Sequence, residues 1–160
     1  MSDLSMNDFQ NARLAQVDEI NAEFGVSHVE NAREPIGGVL EISGAGSRIA
    51  LDLARLTECS ADSDPSVALS GQVGTPIKVR VGNGWLLASV RTQKQDAKFS
   101  GGIVADIDFL GEGDEERLTG RIHSFRRGVT MYPIAGALVY PATSEDLRQS
   151  ALARAIWAHN

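Results

Sequence analysis

Hydrophobic positions along most of this chain repeat with a period of two. Apolar residues alternate with polar or small ones in a series of short segments. These segments are residues 39–42, 49–53, 77–81, 86–90, 103–109, 118–125 and 137–140. Such alternation is typical of strands that bury one face, so the pattern predicts six to seven strands.

Glycine-rich turns separate the predicted strands. Gly82-Asn83-Gly84 lies between two of them, and Asn-Gly is a strong hairpin signal because both turn residues need a positive φ. Residues 44–47 indicate a second hairpin. No helical stretch interrupts the series, which disfavours alternating β-α-β units. The pattern therefore predicts a mainly β fold, a small closed antiparallel β-barrel of six to seven strands.

Helical periodicity is confined to the two ends of the chain. Residues 7–24 predict an N-terminal helix, and Thr143 followed by Asp146 resembles a capped start for a short C-terminal helix. The chain thus divides into an acidic helical arm (1–34), a barrel (35–142) and a C-terminal helix or linker (143–160). Residues 57–76 are predicted to form a long polar loop, and residues 111–117 a charged hairpin tip.

The charge is unevenly distributed. Fifteen Lys and Arg oppose twenty-one Asp and Glu, which gives a net charge of −6. Residues 1–35 hold seven acids and two bases, so the arm carries −5 and the rest of the chain only −1. Proteins that bind nucleic acid over their whole surface are usually basic, so the negative net charge argues against that class.

The cysteine count, the length of the apolar runs and the first residues of the chain indicate where the protein is located in the cell. Cys59 is the only cysteine, so no internal disulfide is expected, and a reducing cytoplasm is the simplest interpretation. No apolar run approaches the ~20 residues of a membrane span. Residues 1–8 lack the basic and apolar regions of a secretory signal. We therefore expect a cytoplasmic protein without a membrane partner.

Signatures of catalysis are weak. No Gly-Lys pair occurs, so a phosphate-binding P-loop is not expected. The three histidines lack metal-ligand spacing, and the cysteine is expected to be an inert thiol beside Glu58 in a polar loop. Asp106 and Asp108 share one face of a predicted strand, where they could serve acid–base chemistry or lie on a solvated outer barrel face. The second interpretation is favoured, and no metal or catalytic residue is predicted.

One segment, residues 125–136, combines two adjacent arginines, glycines, an aromatic residue and a proline. Gly128 permits an unusual backbone angle, and Tyr132-Pro133 fixes an extended step. Arg126 and Arg127 could contact an anion or a carboxylate. On physical grounds the segment, which we call the corner segment, is a structural connection between strands or an interaction site.

The corner segment also resembles the signature of the HAS barrel, the small N-terminal barrel of HerA-like ATPases of the FtsK/HerA superfamily. The resemblance is carried by Phe125, Arg127, Gly128, Val129, Thr130, Tyr132, Pro133 and Gly136. Arg126 lies in the same segment, beside Phe125 and Arg127. Residues 36–47 and 71–82 resemble the same family more weakly. The resemblance covers about residues 35–148.

This resemblance implies a non-catalytic module of an ATP-dependent DNA translocase or helicase that acts in DNA repair. Such barrels form a collar on a homo-hexameric ring, help it to assemble and dock a nuclease of the NurA type, so DNA would be contacted only indirectly. No cofactor is expected in this chain, because ATP and Mg²⁺ would belong to the motor that follows the barrel in such proteins. By this analogy we expect the isolated chain to bind neither ATP nor DNA strongly.

Two other function classes remain open. A stand-alone, oligonucleotide-binding type of barrel could hold nucleic acid through the patch of Arg121, His123, Arg126 and Arg127. That interpretation predicts binding that weakens with added salt and with Arg126→Ala. A small enzyme using Asp106, Asp108 or Glu112 is the third class, although no base–nucleophile arrangement is visible.

Overall fold

Seven β-strands and three helices follow one another in the part of the chain that the structure describes. The computed structural model covers residues 31–44, 46–99 and 102–159, and beyond Ala151 it describes the backbone alone. The strands are β1 (Gly37–Ile42), β2 (Gly46–Asp52), β3 (Pro76–Val81), β4 (Gly84–Gln95), β5 (Gly102–Glu115), β6 (Ile122–Arg127) and β7 (Leu138–Pro141). The helices are α1 (Leu53–Cys59), α2 (Pro65–Ala68) and α3 (Ser144–His159).

Six of the strands close into an antiparallel barrel. The pairing runs β2–β1–β7–β3–β4–β5, and β5 returns to β2 through residues 102–108. The other half of β5, residues 111–115, pairs instead with β6, which is an extra strand outside the closed ring. The predicted mainly β fold and closed barrel are therefore confirmed. Closure removes the exposed sheet edges that small open β-sheets leave unpaired.

Apolar side chains pack into two separate clusters. The barrel interior contains the inward-facing residues of the strands, such as Ile49, Leu51, Ile77 and Val79. A second cluster lies on the outer face, where Trp85 and others pack beneath β6 and α3; it comprises Trp85, Leu87, Ile122, Phe125 and Ala142, with Leu110, Tyr140 and Leu147 against them. Strand β4 is consequently buried on both faces from Trp85 to Ala88.

Strand β6 departs from the alternation of an ordinary strand. Ile122 and Phe125 are both buried although they are three residues apart. Ser124 lies between them with a φ of +55°, and the pairing register shifts opposite it between Glu112 and Asp114. A bulge of this kind inserts residues into one strand and re-aims the next side chain. It places both apolar residues in the outer cluster.

Several predicted turns and loops were wrong. Residues 57–76 are not one polar loop, because α1 begins at Leu53 and α2 follows at Pro65. An N-cap aspartate precedes each of these helices, Asp52 before α1 and Asp64 before α2. Its carboxylate accepts a backbone N–H from the first turn of the helix. Residues 111–117 are not a hairpin tip, since β5 continues to Glu115 and the turn spans residues 116–121. The predicted strand at 118–125 begins only at Ile122.

The β3–β4 hairpin turns one residue earlier than predicted. Val81 pairs with Gly84, so the two turn residues are Gly82 and Asn83. Only Gly82 has a positive φ, at +56°. Glycine at the first turn position with an ordinary second residue is the pattern of a type II′ turn, whereas Asn-Gly would favour type I′.

Of the two helices predicted at the ends of the chain, only the C-terminal one lies within the described residues. The predicted N-terminal helix at residues 7–24 lies outside the described residues; residues 31–33 are helical. At the other end, Thr143 Oγ1 accepts the Asp146 N–H at 3.1 Å and Asp146 Oδ2 accepts the Thr143 N–H at 2.8 Å. This reciprocal pair caps α3 as the sequence predicts. Across the described ranges, none of the helices is both long and apolar enough to span a bilayer.

Candidate functional site

The corner segment leaves β6 and crosses the barrel end to β7. Two glycines set its path, because Gly128 and Gly136 have φ values of +88° and +93°. Space would be available for a side chain at either position, so the backbone angle, not crowding, calls for glycine there. At the far end, the Gly136 N–H donates to the Val39 carbonyl of β1 at 2.7 Å. The segment is therefore shaped by its backbone and joined to the barrel at both ends.

A buried carboxylate fastens the middle of the corner segment. Glu112 of β5 is 8% exposed, and its Oε1 accepts the Thr130 backbone N–H at 3.0 Å and the Thr130 hydroxyl at 2.6 Å. Arg126 lies 3.8 Å from the same oxygen. Glu112, one of the three acids weighed for catalysis, is thus engaged as a clamp on the segment.

Replacing Thr130 by valine should loosen this clamp. The hydroxyl donates to a charged acceptor, but Thr130 itself is exposed, so we expect a loss of about 1 kcal/mol in the free energy of unfolding. Urea denaturation measures the change. Thr92→Val is the matched control, because its hydroxyl donates to Asp106 on the outer, solvated face of the barrel, where little should be lost. Equal losses in both variants would contradict the clamp.

Tyr132 and Pro133 hold the next part of the segment against β5 and the β1–β2 turn. The Tyr132 ring meets Phe109 edge to face with centroids 5.9 Å apart, and its hydroxyl donates to the Gly44 carbonyl at 3.4 Å. Pro133 is buried, and Val129 packs against the barrel core. These contacts fix the segment without making it regular secondary structure.

Apolar side chains on this rigid segment and at the start of β7 are left in solvent. Met131, Tyr132, Ile134 and Leu138 are 59%, 45%, 77% and 46% exposed. We call them the corner surface. Four large apolar side chains exposed within eight residues of sequence are typical of an interaction surface.

A groove of about 390 Å³ lies next to the corner surface. The β3–β4 hairpin forms one side of it, and Glu112, Arg126, Thr130 and Met131 form the other. Arg126 lies 3.9 Å from Asp114 as well as 3.8 Å from Glu112, so nearby carboxylates offset its charge. Arg127 is exposed at the end of β6. The groove is thus lined by charges of both signs and by apolar side chains of β3, β4 and the corner segment.

A second concavity, of about 360 Å³, lies on the opposite end of β6 and was not predicted. Its wall includes five basic side chains, Arg33, Lys78, Arg80, Arg117 and Arg121, together with Trp85, Tyr140 and the acidic Glu115. We call it the cationic cavity. Lys78 Nζ and Arg80 Cζ lie 4.4 and 4.7 Å from the Trp85 ring centroid, and Tyr140 meets that ring edge to face at 5.1 Å. Cations and aromatic rings therefore pack together in its floor.

Asp146 neutralises the deepest of these cations. It is fully buried and accepts from Lys78 Nζ at 3.0 Å, from the Ile122 N–H at 2.7 Å and from the Thr143 N–H at 2.8 Å. Lys78 is 2% exposed and also donates to the Gly120 carbonyl at 3.2 Å. Burial lowers the pKa of Lys78, and Asp146 opposes that shift. The carboxylate thus joins β3, β6 and the start of α3.

The structure separates the predicted patch of Arg121, His123, Arg126 and Arg127. Arg121 belongs to the cationic cavity, whereas Arg126 lines the groove beside the corner surface. The two lie at opposite ends of β6, on the order of 15 Å apart at the strand rise per residue. Lys78 and Arg80 alternate with the inward-facing Ile77 and Val79, so they lie on the outer face of β3. The apolar run of Trp85 to Ala88 on the neighbouring strand is the sequence signal that this outer face is covered.

The other sequence candidates do not converge on a reaction centre. Asp106 binds Arg48 at 3.2 Å and accepts from Thr92 at 3.0 Å. Both bonds lower the pKa of Asp106, which weakens it as a general base. Asp108 lies 3.7 Å from Arg91 on the same outer face. Both acids therefore lie on a solvated outer face of the barrel, which is the interpretation that the sequence favoured.

The environment of Cys59 differs from the prediction. The thiol is buried at the end of α1 and does not lie in a polar loop. Burial raises its pKa, which disfavours the reactive thiolate. Among residues 31–44, 46–99 and 102–159, no three His, Cys, Asp or Glu side chains group closely enough to hold a metal ion.

Comparison with known proteins adds no relative. No protein-family model matches the chain, and no curated protein matches it. The function must therefore be argued from the geometry and from the sequence resemblance of the corner segment.

Proposed function

We propose that this chain is a non-catalytic barrel module of a HerA-like, ATP-dependent DNA translocase or helicase. In this proposal it works in the cytoplasm, as part of a homo-hexameric collar that assists ring assembly and docks a NurA-type nuclease. ATP and Mg²⁺ would be bound by the motor and not by this chain. DNA would be contacted only indirectly.

The observation that carries the proposal is the corner surface. Its apolar side chains are exposed, yet the segment that bears them is fixed by Glu112, by Tyr132 and by the backbone bond to Val39. Holding an exposed surface in one conformation before binding lowers the entropy lost when a partner docks. A rigid apolar surface therefore fits a docking role better than a catalytic one.

The residues of the family-like signature support the same interpretation. They shape the corner segment or pack beneath it: Phe125 enters the outer cluster, the two glycines set the path, and Pro133 is buried. Thr130 and Arg126 contact the Glu112 carboxylate, and these contacts bind the segment to β5. The nucleic-acid alternative is less well supported, because Arg126 faces Glu112 and Asp114.

Co-purification with a HerA-type ATPase and a NurA-type nuclease from the same genome tests the proposal. We expect the chain to associate with at least one of them, and Met131→Asp/Ile134→Asp to abolish the association, since two charges would be buried in the contact. Val73→Asp is the matched control, because Val73 is 62% exposed outside the corner segment. Association that survives the double variant would locate docking elsewhere.

Calorimetry with ATP provides the complementary test. A micromolar dissociation constant for ATP that Arg117→Gln/Arg121→Gln, in the cationic cavity, leaves unchanged would contradict a module whose nucleotide chemistry belongs to another domain. Hydrolysis of ATP by the isolated chain would contradict it as well.

A further inference from the structure

The cationic cavity carries an excess of positive charge that its own acids do not balance. Arg80 is paired with Glu115 at 2.8 Å, and Lys78 is paired with Asp146. Arg117 and Arg121 make no ion pair among the residues that the structure describes. Counting Asp146, the cavity carries three more positive than negative side chains. This local charge is opposite in sign to the net charge of the chain.

The cations are also crowded. Burial is the main cause that lowers the pKa of Lys78; Asp146 and Glu115 raise it, and the nearby positive charge of Arg121 lowers it by less than they raise it. Like charges brought together in a partly buried site repel one another unless an anion lies between them. An anionic ligand in the cavity would relieve this repulsion.

Trp85 adds an unsatisfied donor to the same wall. Its side chain lines the cavity and is 6% exposed, and its indole Nε1 is buried without a hydrogen-bond acceptor among the described residues. A buried N–H that lacks an acceptor costs stability, so such a group signals a missing partner. Among the described residues, the cavity wall therefore combines guanidinium groups that pair with no carboxylate and a tryptophan whose indole N–H has no acceptor.

We propose that the cationic cavity binds a small anion that bears phosphate groups. A volume of about 360 Å³ lies within the range of small-molecule sites. The planar fork of a guanidinium matches two phosphate oxygens, and Arg33, Arg117 and Arg121 are the cavity cations that make no ion pair with a described carboxylate. The site is separate from the corner surface, so the failure of either proposal leaves the other standing.

Titration of inorganic pyrophosphate into the full chain by calorimetry tests this site. We expect saturable binding with one site per chain and a dissociation constant tighter than about 1 mM, the range reached by a few charge-assisted contacts. The variant Arg117→Gln/Arg121→Gln should weaken binding by about tenfold or more. Arg91→Gln/Arg148→Gln, which removes the same charge from exposed positions elsewhere, should bind as the unaltered chain does.

The indole resonance of Trp85 gives a readout that needs no variant of the cavity. In a Trp157→Phe chain, Trp85 supplies the only indole N–H, and its NMR signal should shift as pyrophosphate saturates the site. No heat and no shift would overturn the proposal, as would equal weakening in the two double-arginine variants. Tighter, salt-sensitive binding of a single-stranded oligonucleotide that requires Arg117 and Arg121 would overturn it in favour of a nucleic-acid site.

Discussion

Asp146→Ala is expected to lower the free energy of unfolding by about 3–5 kcal/mol, the cost of leaving a buried charge without its partner. Asp146 is fully buried and satisfies the Lys78 ammonium and two backbone N–H groups. Without the carboxylate, all three donors would lose a charged, buried acceptor. The first turn of α3 would lose one of the two bonds of its reciprocal cap, and the packing of α3 against β6 would weaken.

Two further variants distinguish this network from a simple loss of charge. Glu145→Ala removes an acid from the same helical turn, but Glu145 pairs only with Arg148, so its loss should cost less than about 1 kcal/mol. In the Asp146→Ala background, Lys78→Met removes the uncompensated cation and should restore part of the stability. Urea denaturation measures all three chains. A loss below 1 kcal/mol for Asp146→Ala, or no recovery with Lys78→Met, would contradict the network.

Gly37→Ala is expected to have an effect of similar size, about 3 kcal/mol or more, through the barrel itself. Gly37 begins β1, opposite Leu51 of β2 and Val139 of β7. A Cβ placed there would overlap the backbone carbonyl of Ala50 on β2. Because the obstacle is backbone within a closed ring, relief requires strands to move apart, and no side chain can simply rotate away.

Gly44→Ala is the matched control for this prediction. Gly44 lies in the β1–β2 hairpin, has an ordinary φ and would place a Cβ in open space. Its replacement should change the free energy of unfolding by less than about 0.5 kcal/mol. Thermal and urea unfolding measure both variants, and a Gly37→Ala chain as stable as Gly44→Ala would show that β1 does not close the barrel as described.

The barrel could be predicted because a strand with one buried face must alternate. Ile77 and Val79 on β3 and Ile49 and Leu51 on β2 show the period directly, and antiparallel closure follows from short strands with glycine turns. Alternation fails where a strand is covered on both sides, as at Trp85 to Ala88 of β4. It also fails at β6, where the bulge at Ser124 changes the period from two to three.

Of the two candidate sites, the sequence indicated the corner segment but not the cationic cavity. The corner segment was visible in the sequence because its glycines, proline and tyrosine lie close together in the chain and have strong local preferences. Its clamp was not visible, since Glu112 reaches Thr130 only through the pairing of β5 with β6. The cationic cavity depends on contacts between residues far apart in sequence, such as Lys78 with Asp146. A local pattern carries no information about such pairs.

Hydrogen exchange of the chain alone and in complex with a HerA-type ATPase ring from the same genome tests most directly whether the corner surface docks a partner. On binding, we expect slower exchange of the backbone amides across residues 128–138 and little change in α1 and α2. Slowed exchange confined to the two short helices, or a ring that leaves residues 128–138 unprotected, would contradict it.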